Sequence, residues 1–226
     1  MNAGEITLRL RSNLGLKLVL SFVLTVGIWA AYLFLQRHAM FPVTVLKLTS
    51  VDRMIPFAPG AVYLYESLLL LMPIAPWLMT SRAELGRYTG GLTLISLVGF
   101  IVFVVYPTAS PRPASVQGAN ALYATLVRID NDLNAFPSLH AAFAVFHGAC
   151  CHALFRRAGV PRGVPWLIWV WVAGIVASTL LTKQHVVIDV AAGVLLGFGG
   201  YAVCRMPPRA TERQTRCGCE RNRLWE

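Results

Sequence analysis

The chain has 226 residues, 56% of them hydrophobic and 13% charged, with a net charge of +10 and a mean hydropathy of +0.60. A soluble domain carries about 25% charged residues, so this composition excludes an ordinary water-soluble globule and specifies an integral membrane protein. The positive charge does not specify nucleic-acid binding, because the basic residues sit between apolar blocks and in a short tail. They form no face interleaved with exposed aromatics.

In chain order, a polar start with Arg9, Arg11 and Lys17 precedes an apolar block from Leu18 to Leu35. That block is long for the apolar core of a signal peptide and has no clear small-x-small cleavage site before Gln36. It reads as a first transmembrane helix. Five further blocks have about the 20 residues that cross a bilayer. They run from Pro59 to Met79, Tyr88 to Tyr106, Phe136 to Phe155, Pro165 to Thr182 and Val186 to Cys204. The expected fold is therefore all-α, an integral membrane bundle of six transmembrane helices. It occupies residues 18–204, between a cytoplasmic N-terminal segment (1–17) and a basic cytoplasmic tail (205–226).

Lysines and arginines set the orientation. The N-terminus, second loop, fourth loop and tail hold 3, 2, 3 and 6 of them, whereas the remaining loops hold 3, 2 and 1. The positive-inside rule then places both termini in the cytoplasm and turns His140, His185 and the long third loop outward. The cysteines define no disulfide framework. Cys150, Cys151 and Cys204 lie in apolar segments, where cysteine behaves as a small hydrophobe. Cys217 and Cys219 form a lone pair with no second pair to complete a zinc site, so no metal is expected.

Three stretches carry chemistry. In STLLTKQHVVID, Ser178 to Asp189, a histidine and an aspartate stand four residues apart in an apolar region. On a helix that spacing puts both on one face, so Asp189 can accept a proton from one nitrogen of His185 and leave the other free to attack. The same pair also serves as a structural ion pair or helix-end hydrogen bond, and spacing alone does not choose. In DNDLNAFPSLH, Asp130 to His140, Pro137 suits the first turn of a helix. Ser138 and its neighbouring amides then form a helix start that accepts anions, with His140 in the first turn. The alternative is a capping serine beside an interfacial histidine. In YPTASPRP, Tyr106 to Pro113, Arg112 lies between prolines and has the fork that matches phosphate oxygens; a headgroup-facing arginine is the alternative.

The order Arg-Pro, then Pro-Ser-x-His, then Ser-x6-His-x3-Asp resembles the type 2 phosphatidic acid phosphatase superfamily, over roughly Arg112 to Asp189. The resemblance implies His185 as the nucleophile that becomes a phosphohistidine, oriented by Asp189. It implies His140 as general acid and then base, with Arg112 and Ser138 holding phosphate oxygens and Ser178 opening the last motif. It implies no cofactor and no metal. Two cations of the family pattern are missing, since Val105 stands where a lysine is usual and Thr179 where an arginine is usual. Lys183 is the expected substitute, with Arg128 a weaker one. TKQH after NAFPSLH looks more like the branch near inositol phosphorylceramide and sphingomyelin synthases.

The expected function is hydrolysis of a lipid phosphate or polyprenyl diphosphate at the outer face of a bacterial inner (plasma) membrane. One alternative is transfer of a phospho-headgroup between lipids, and a second is a non-enzymatic lipid transporter or assembly partner. Partners are membrane lipids and the substrate, with no nucleic acid, and oligomeric state is open. Other residues weigh less. Glu66 lies in the second block, where a cation of the site or a helix contact would suit it. His147 and His152 suit helix–helix hydrogen bonds. Gly193, Gly197, Gly199 and Gly200 give the last helix a face for close packing. The segment from Phe41 to Phe57 is expected along the outer interface.

Overall fold

The fold is described from a computed structural model over residues 3–112 and 120–204. The expected basic tail, the Cys217–Cys219 pair and Pro113 lie outside these described residues. The chain is mostly helical. A short helix α1 (Ala3–Arg11) leads to α2 (Leu14–Arg37), and a two-residue strand β1 (Thr44–Val45) is followed by α3 (Ser50–Met54). The second apolar block is broken into α4 (Val62–Glu66), α5 (Leu68–Leu71) and α6 (Ile74–Leu78). Pro73 and Pro76 explain the last break, since each lacks the N–H that would continue the helical ladder. Then come α7 (Arg82–Val105), strand β2 (Thr108–Ala109), α8 (Ala121–Ile129), α9 (Leu139–Arg157), α10 (Gly163–Leu181) and α11 (Val187–Val203).

Four of these segments are long and apolar enough to cross a membrane: Leu14–Arg37, Pro59–Leu78, Arg82–Val105 and Gly163–Leu181. The other two expected spans fall short for identifiable reasons. Helix α11 has 17 residues, and α9 carries His140, His147 and His152. The first helix also starts at Leu14 rather than Leu18. Lys17, expected in the preceding polar segment, lies inside it, with Nζ donating to the carbonyls of Arg9 (2.6 Å) and Trp77 (2.7 Å).

Helix α9 is the axis of the fold. It packs against α5, α6, α7, α10 and α11 and buries thirteen of its nineteen residues. A helix covered on all sides has no lipid-facing stripe to fill with large apolar residues, which explains its modest hydropathy. Its histidines are satisfied by neighbours: Tyr88 Oη and His147 Nε2 join α7 to α9 at 2.8 Å, and Trp169 Nε1 donates to His152 Nδ1 at 3.2 Å from α10. Helix α2 is the opposite case. It packs mainly on α7, and Leu18, Val19, Phe22, Val23 and Val26 stand exposed on it. Apolar surface of that extent marks a membrane or protein contact.

The glycines of α11 let it approach α9 and α7 closely. A Cβ on Gly193 would lie 2.2 Å from the carbonyl oxygen of Ser138, and one on Gly197 would lie 2.5 Å from that of Ala142. Gly200 faces Ile95 and Gly91 of α7, whereas Gly199 faces open space. Three of the four glycines therefore form the packing face, and Gly199 does not belong to it. At the end of the bundle where α9 and α11 begin, β1 pairs in parallel with β2. This ties the segment after α2 to the segment after α7.

Candidate active site

The loop between α10 and α11 holds His185. Its entry is a tight reversal at Lys183, which adopts a left-handed backbone (φ 54°), and the amides of Gln184 and His185 both donate to the Thr179 carbonyl at 3.2 Å. Helix α11 then starts at Val187, so His185 precedes the helix instead of sharing a helical face with Asp189. The pair forms by capping. Asp189, in the first turn, accepts the Val186 N–H through Oδ1 (2.9 Å) and the His185 Nδ1–H through Oδ2 (3.0 Å). Asp189 is fully buried, and the His185 side chain is 10% exposed. With Nδ1 held, Nε2 is the nitrogen left to react.

His140 is the second residue of α9. Its Nε2–H donates to the Tyr65 carbonyl at 2.9 Å, and its ring stacks on the Tyr65 ring with centroids 3.7 Å apart. A carbonyl can only accept, so the proton of neutral His140 sits on Nε2 and Nδ1 is the free nitrogen. Tyr65 sits at the end of α4, beside the break at Ser67. His140 and His185 line one cavity of about 570 Å³. Glu66, Asp130 and Asn134 also line it, and from there it runs between α2 and α4–α7, past Leu24 and Leu20, to Lys17 and Trp77.

The other expected site residues are placed differently. Ser138 is the N-cap of α9 and fully buried; its Oγ accepts the Ala141 N–H (3.2 Å) and its own N–H donates to the Asp189 carbonyl (3.0 Å). It joins the starts of α9 and α11 and does not line the cavity. Pro137 lies one residue ahead of the cap, not inside the first turn. Arg112 donates to the carbonyls of Asp130 and Asn131, each at 2.7 Å, and to Gln184 Oε1. Its Nε is buried with no partner among the described residues.

Lys183 is turned away from the cavity, in contrast to the expected substitution for the missing cations. Its ammonium donates to the carbonyls of Ile55 (2.6 Å) and Asp52 (3.0 Å). Ser178 is likewise unavailable, since its hydroxyl donates to the Ile175 carbonyl of its own helix (2.6 Å) and is fully buried. Arg128 does not line the cavity either.

Three neighbours of the site were given no role from the sequence. Asp130 accepts from Tyr32 Oη (2.8 Å) and from Gln36 Nε2, which brings α2 against the third connecting segment. Tyr123 of α8 donates to the Thr182 carbonyl (3.0 Å), just ahead of Lys183. Asp52 of α3 accepts the Val187 N–H at 2.8 Å. Acidic residues number only ten in this chain, so each carboxylate beside an apolar block was a legible signal, but nothing in sequence gave its partner.

The chain is thus a mostly helical protein with several membrane-length apolar helices, in which a buried carboxylate holds one histidine on the wall of a cavity that a second histidine also lines. A family model described as the PAP2 superfamily matches residues 35–203. The chain belongs to that superfamily, the type 2 phosphatidic acid phosphatases and their relatives, whose activity is phosphatase or phosphotransferase chemistry on phosphate esters. No curated protein matches the chain.

Proposed function

We propose that this protein is a six-helix integral membrane enzyme that hydrolyses a lipid phosphate or lipid diphosphate through a phosphohistidine on His185. The observation that carries the reading is the 3.0 Å pairing of His185 with buried Asp189 on a cavity wall shared with His140. The spans would be α2, the broken segment Pro59–Leu78, α7, α9, α10 and α11. Both termini would then be cytoplasmic and the histidines would open on the outer side of the plasma membrane. The basic tail and the N-terminal segment would flank one catalytic domain.

In the first step the His185 Nε2 lone pair attacks phosphorus. The P–N bond forms as the bond to the lipid oxygen breaks, and protonated His140 gives its Nδ1 proton to that oxygen. Asp189 stabilises the charge that appears on the His185 ring. In the second step His140 Nδ1 takes a proton from water as the water oxygen attacks phosphorus. The P–N bond breaks, and inorganic phosphate and free His185 are released. Splitting one displacement into two in this way is what a covalent intermediate achieves. Arg112 does not line the cavity as it stands; its Nε–H, without a partner among the described residues, would donate to a phosphoryl oxygen after a side-chain movement. The apolar length of the cavity supports a hydrocarbon chain lying between α2 and α5–α6 rather than wholly in the surrounding lipid.

Purified His185→Ala should insert and fold yet release no phosphate from a lipid phosphate; near wild-type release refutes the mechanism. One observation favours a second reading, transfer to an alcohol. Glu66 and Asp130 line the cavity beside the histidines, and carboxylates accept from hydroxyls. A labelled phospholipid incubated with and without an acceptor alcohol separates the two, free phosphate marking hydrolysis and a new lipid marking transfer.

A further inference from the structure

We propose that Asp52 is a positioning residue for His185, and that α3 is a strut holding the reactive loop from both sides. This rests on the reading of His185 as the nucleophile. The segment Thr49-Ser-Val-Asp52 builds its own capping box: Thr49 N–H (2.8 Å) and Oγ1–H (2.6 Å) donate to Asp52 Oδ2, and Asp52 N–H donates to Thr49 Oγ1 (3.2 Å). A capping acid ordinarily closes on its own helix. Here the second oxygen, Oδ1, reaches 135 residues along the chain to the Val187 N–H. Val187 is the first residue of α11, where an amide has no acceptor within the helix.

The same short helix also holds the other side of the loop. Its Asp52 carbonyl, with that of Ile55 just after it, takes the ammonium of Lys183. Lys183 and Val187 stand two residues before and two residues after His185. The imidazole is thus centred between two anchors that converge on one five-residue helix. Asp52 is 3% exposed and does not line the cavity, so it has no route to substrate except through the loop. Burial alone would raise its carboxyl, but the donations from Thr49 and Val187 and the charge of Lys183 outweigh that and hold it below the usual carboxylate range. Asp52 is therefore ionised at neutral pH and stays an acceptor for both partners.

If the strut sets the aim of Nε2, loosening it by about 1 Å should cost on the order of 100-fold in turnover while leaving the binding cavity intact. The test uses the full chain in detergent micelles, with dioctanoyl phosphatidic acid as probe, and histidine ring-nitrogen NMR with His185 assigned through His185→Gln. Asp52→Ala should lower kcat at least tenfold with KM unchanged. It should also replace the sharp Nδ1–H pattern of His185 with an averaged one, leaving His147 unmoved. Asp52→Asn, which keeps an acceptor for Val187, should restore much of both. Lys183→Met should reproduce the His185 change and combine with Asp52→Ala less than additively, as members of one unit do.

Wild-type kcat and an unmoved His185 pattern in both Asp52→Ala and Lys183→Met overturn the proposal. If Asp52→Ala fails to fold, Asp52→Asn and Lys183→Met decide by the same readouts. If the wild type releases no phosphate while the His185 pattern still responds to Asp52, the strut stands and the catalytic reading of His185 on this lipid fails.

Discussion

Replacing Gly193 by alanine should disable the site from the opposite side of α11, and the structure gives the size of the effect. The new methyl would lie 2.2 Å from the Ser138 carbonyl oxygen and 3.2 Å from the Ala141 Cβ. Ordinary contact is about 3.5 Å, so α9 and α11 must part by roughly 1 Å, and backbone, unlike a side-chain tip, has no rotamer by which to yield. Overpacking of this kind costs about 1–3 kcal/mol, offset by about 0.8–1 kcal/mol from the higher helix propensity of alanine.

The catalytic effect should be larger than the loss of stability. The hydrogen bond from Ser138 N–H to the Asp189 carbonyl spans this same gap, and His140 follows Ser138 by two residues. Separating the helix starts therefore separates His140 from the His185–Asp189 pair, for which roughly 100-fold in turnover is expected. Gly199→Ala is the control, because it makes the same substitution on the same helix with nothing within 4 Å. It should keep full activity with an unchanged or slightly raised Tm. Phosphate release and thermal unfolding of both variants in one detergent give the answer, and wild-type turnover in Gly193→Ala refutes the argument.

Arg112→Lys should lower kcat/KM by tenfold or more despite keeping the charge. One ammonium cannot reproduce the fork that joins Asp130, Asn131 and Gln184, and a measured kcat/KM near wild type would show that charge alone suffices. The second expectation concerns acid. Burial alone would raise the Asp52 carboxyl, but the donations from Thr49 and Val187 and the charge of Lys183 hold it below 3.8. A depressed folded value means that its contribution is present above the ordinary value near 3.8 and is lost as pH falls through the lower folded value. The Tm of the wild type should therefore drop more steeply below about pH 4 than that of Asp52→Asn.

Much of the site was legible because its chemistry is local in sequence. The start of α9 at Ser138 was expected, although the hydroxyl expected to hold phosphate caps the helix instead, and the spacing of His185 and Asp189 announces a pair. The reason offered by the spacing was nevertheless incomplete, since the contact is made across a helix start and not along a helix face. The destination of Lys183 was not legible at all. Two residues from His185 it looks like a phosphate ligand, yet its ammonium goes to carbonyls some 130 residues away in a segment that sequence placed along the membrane surface. The second apolar block read as one helix, because hydropathy is blind to the interruption beside Ser67 that places the Tyr65 carbonyl against His140.

The absent cations at Val105 and Thr179 bear on where a phosphate would sit. Two helix starts converge on the site, and each carries a partial positive charge. That of α11 is already neutralised, by Asp189 in its own first turn and by Asp52 on the Val187 amide. That of α9 has no acid in its first turn and is capped by the neutral hydroxyl of Ser138. In the proposed reaction the transferring phosphoryl would therefore lie toward α9, between His185 Nε2 and His140. An acid placed at the start of α9, as in Leu139→Glu, would oppose that charge, and it should raise KM for a lipid phosphate more than it lowers kcat.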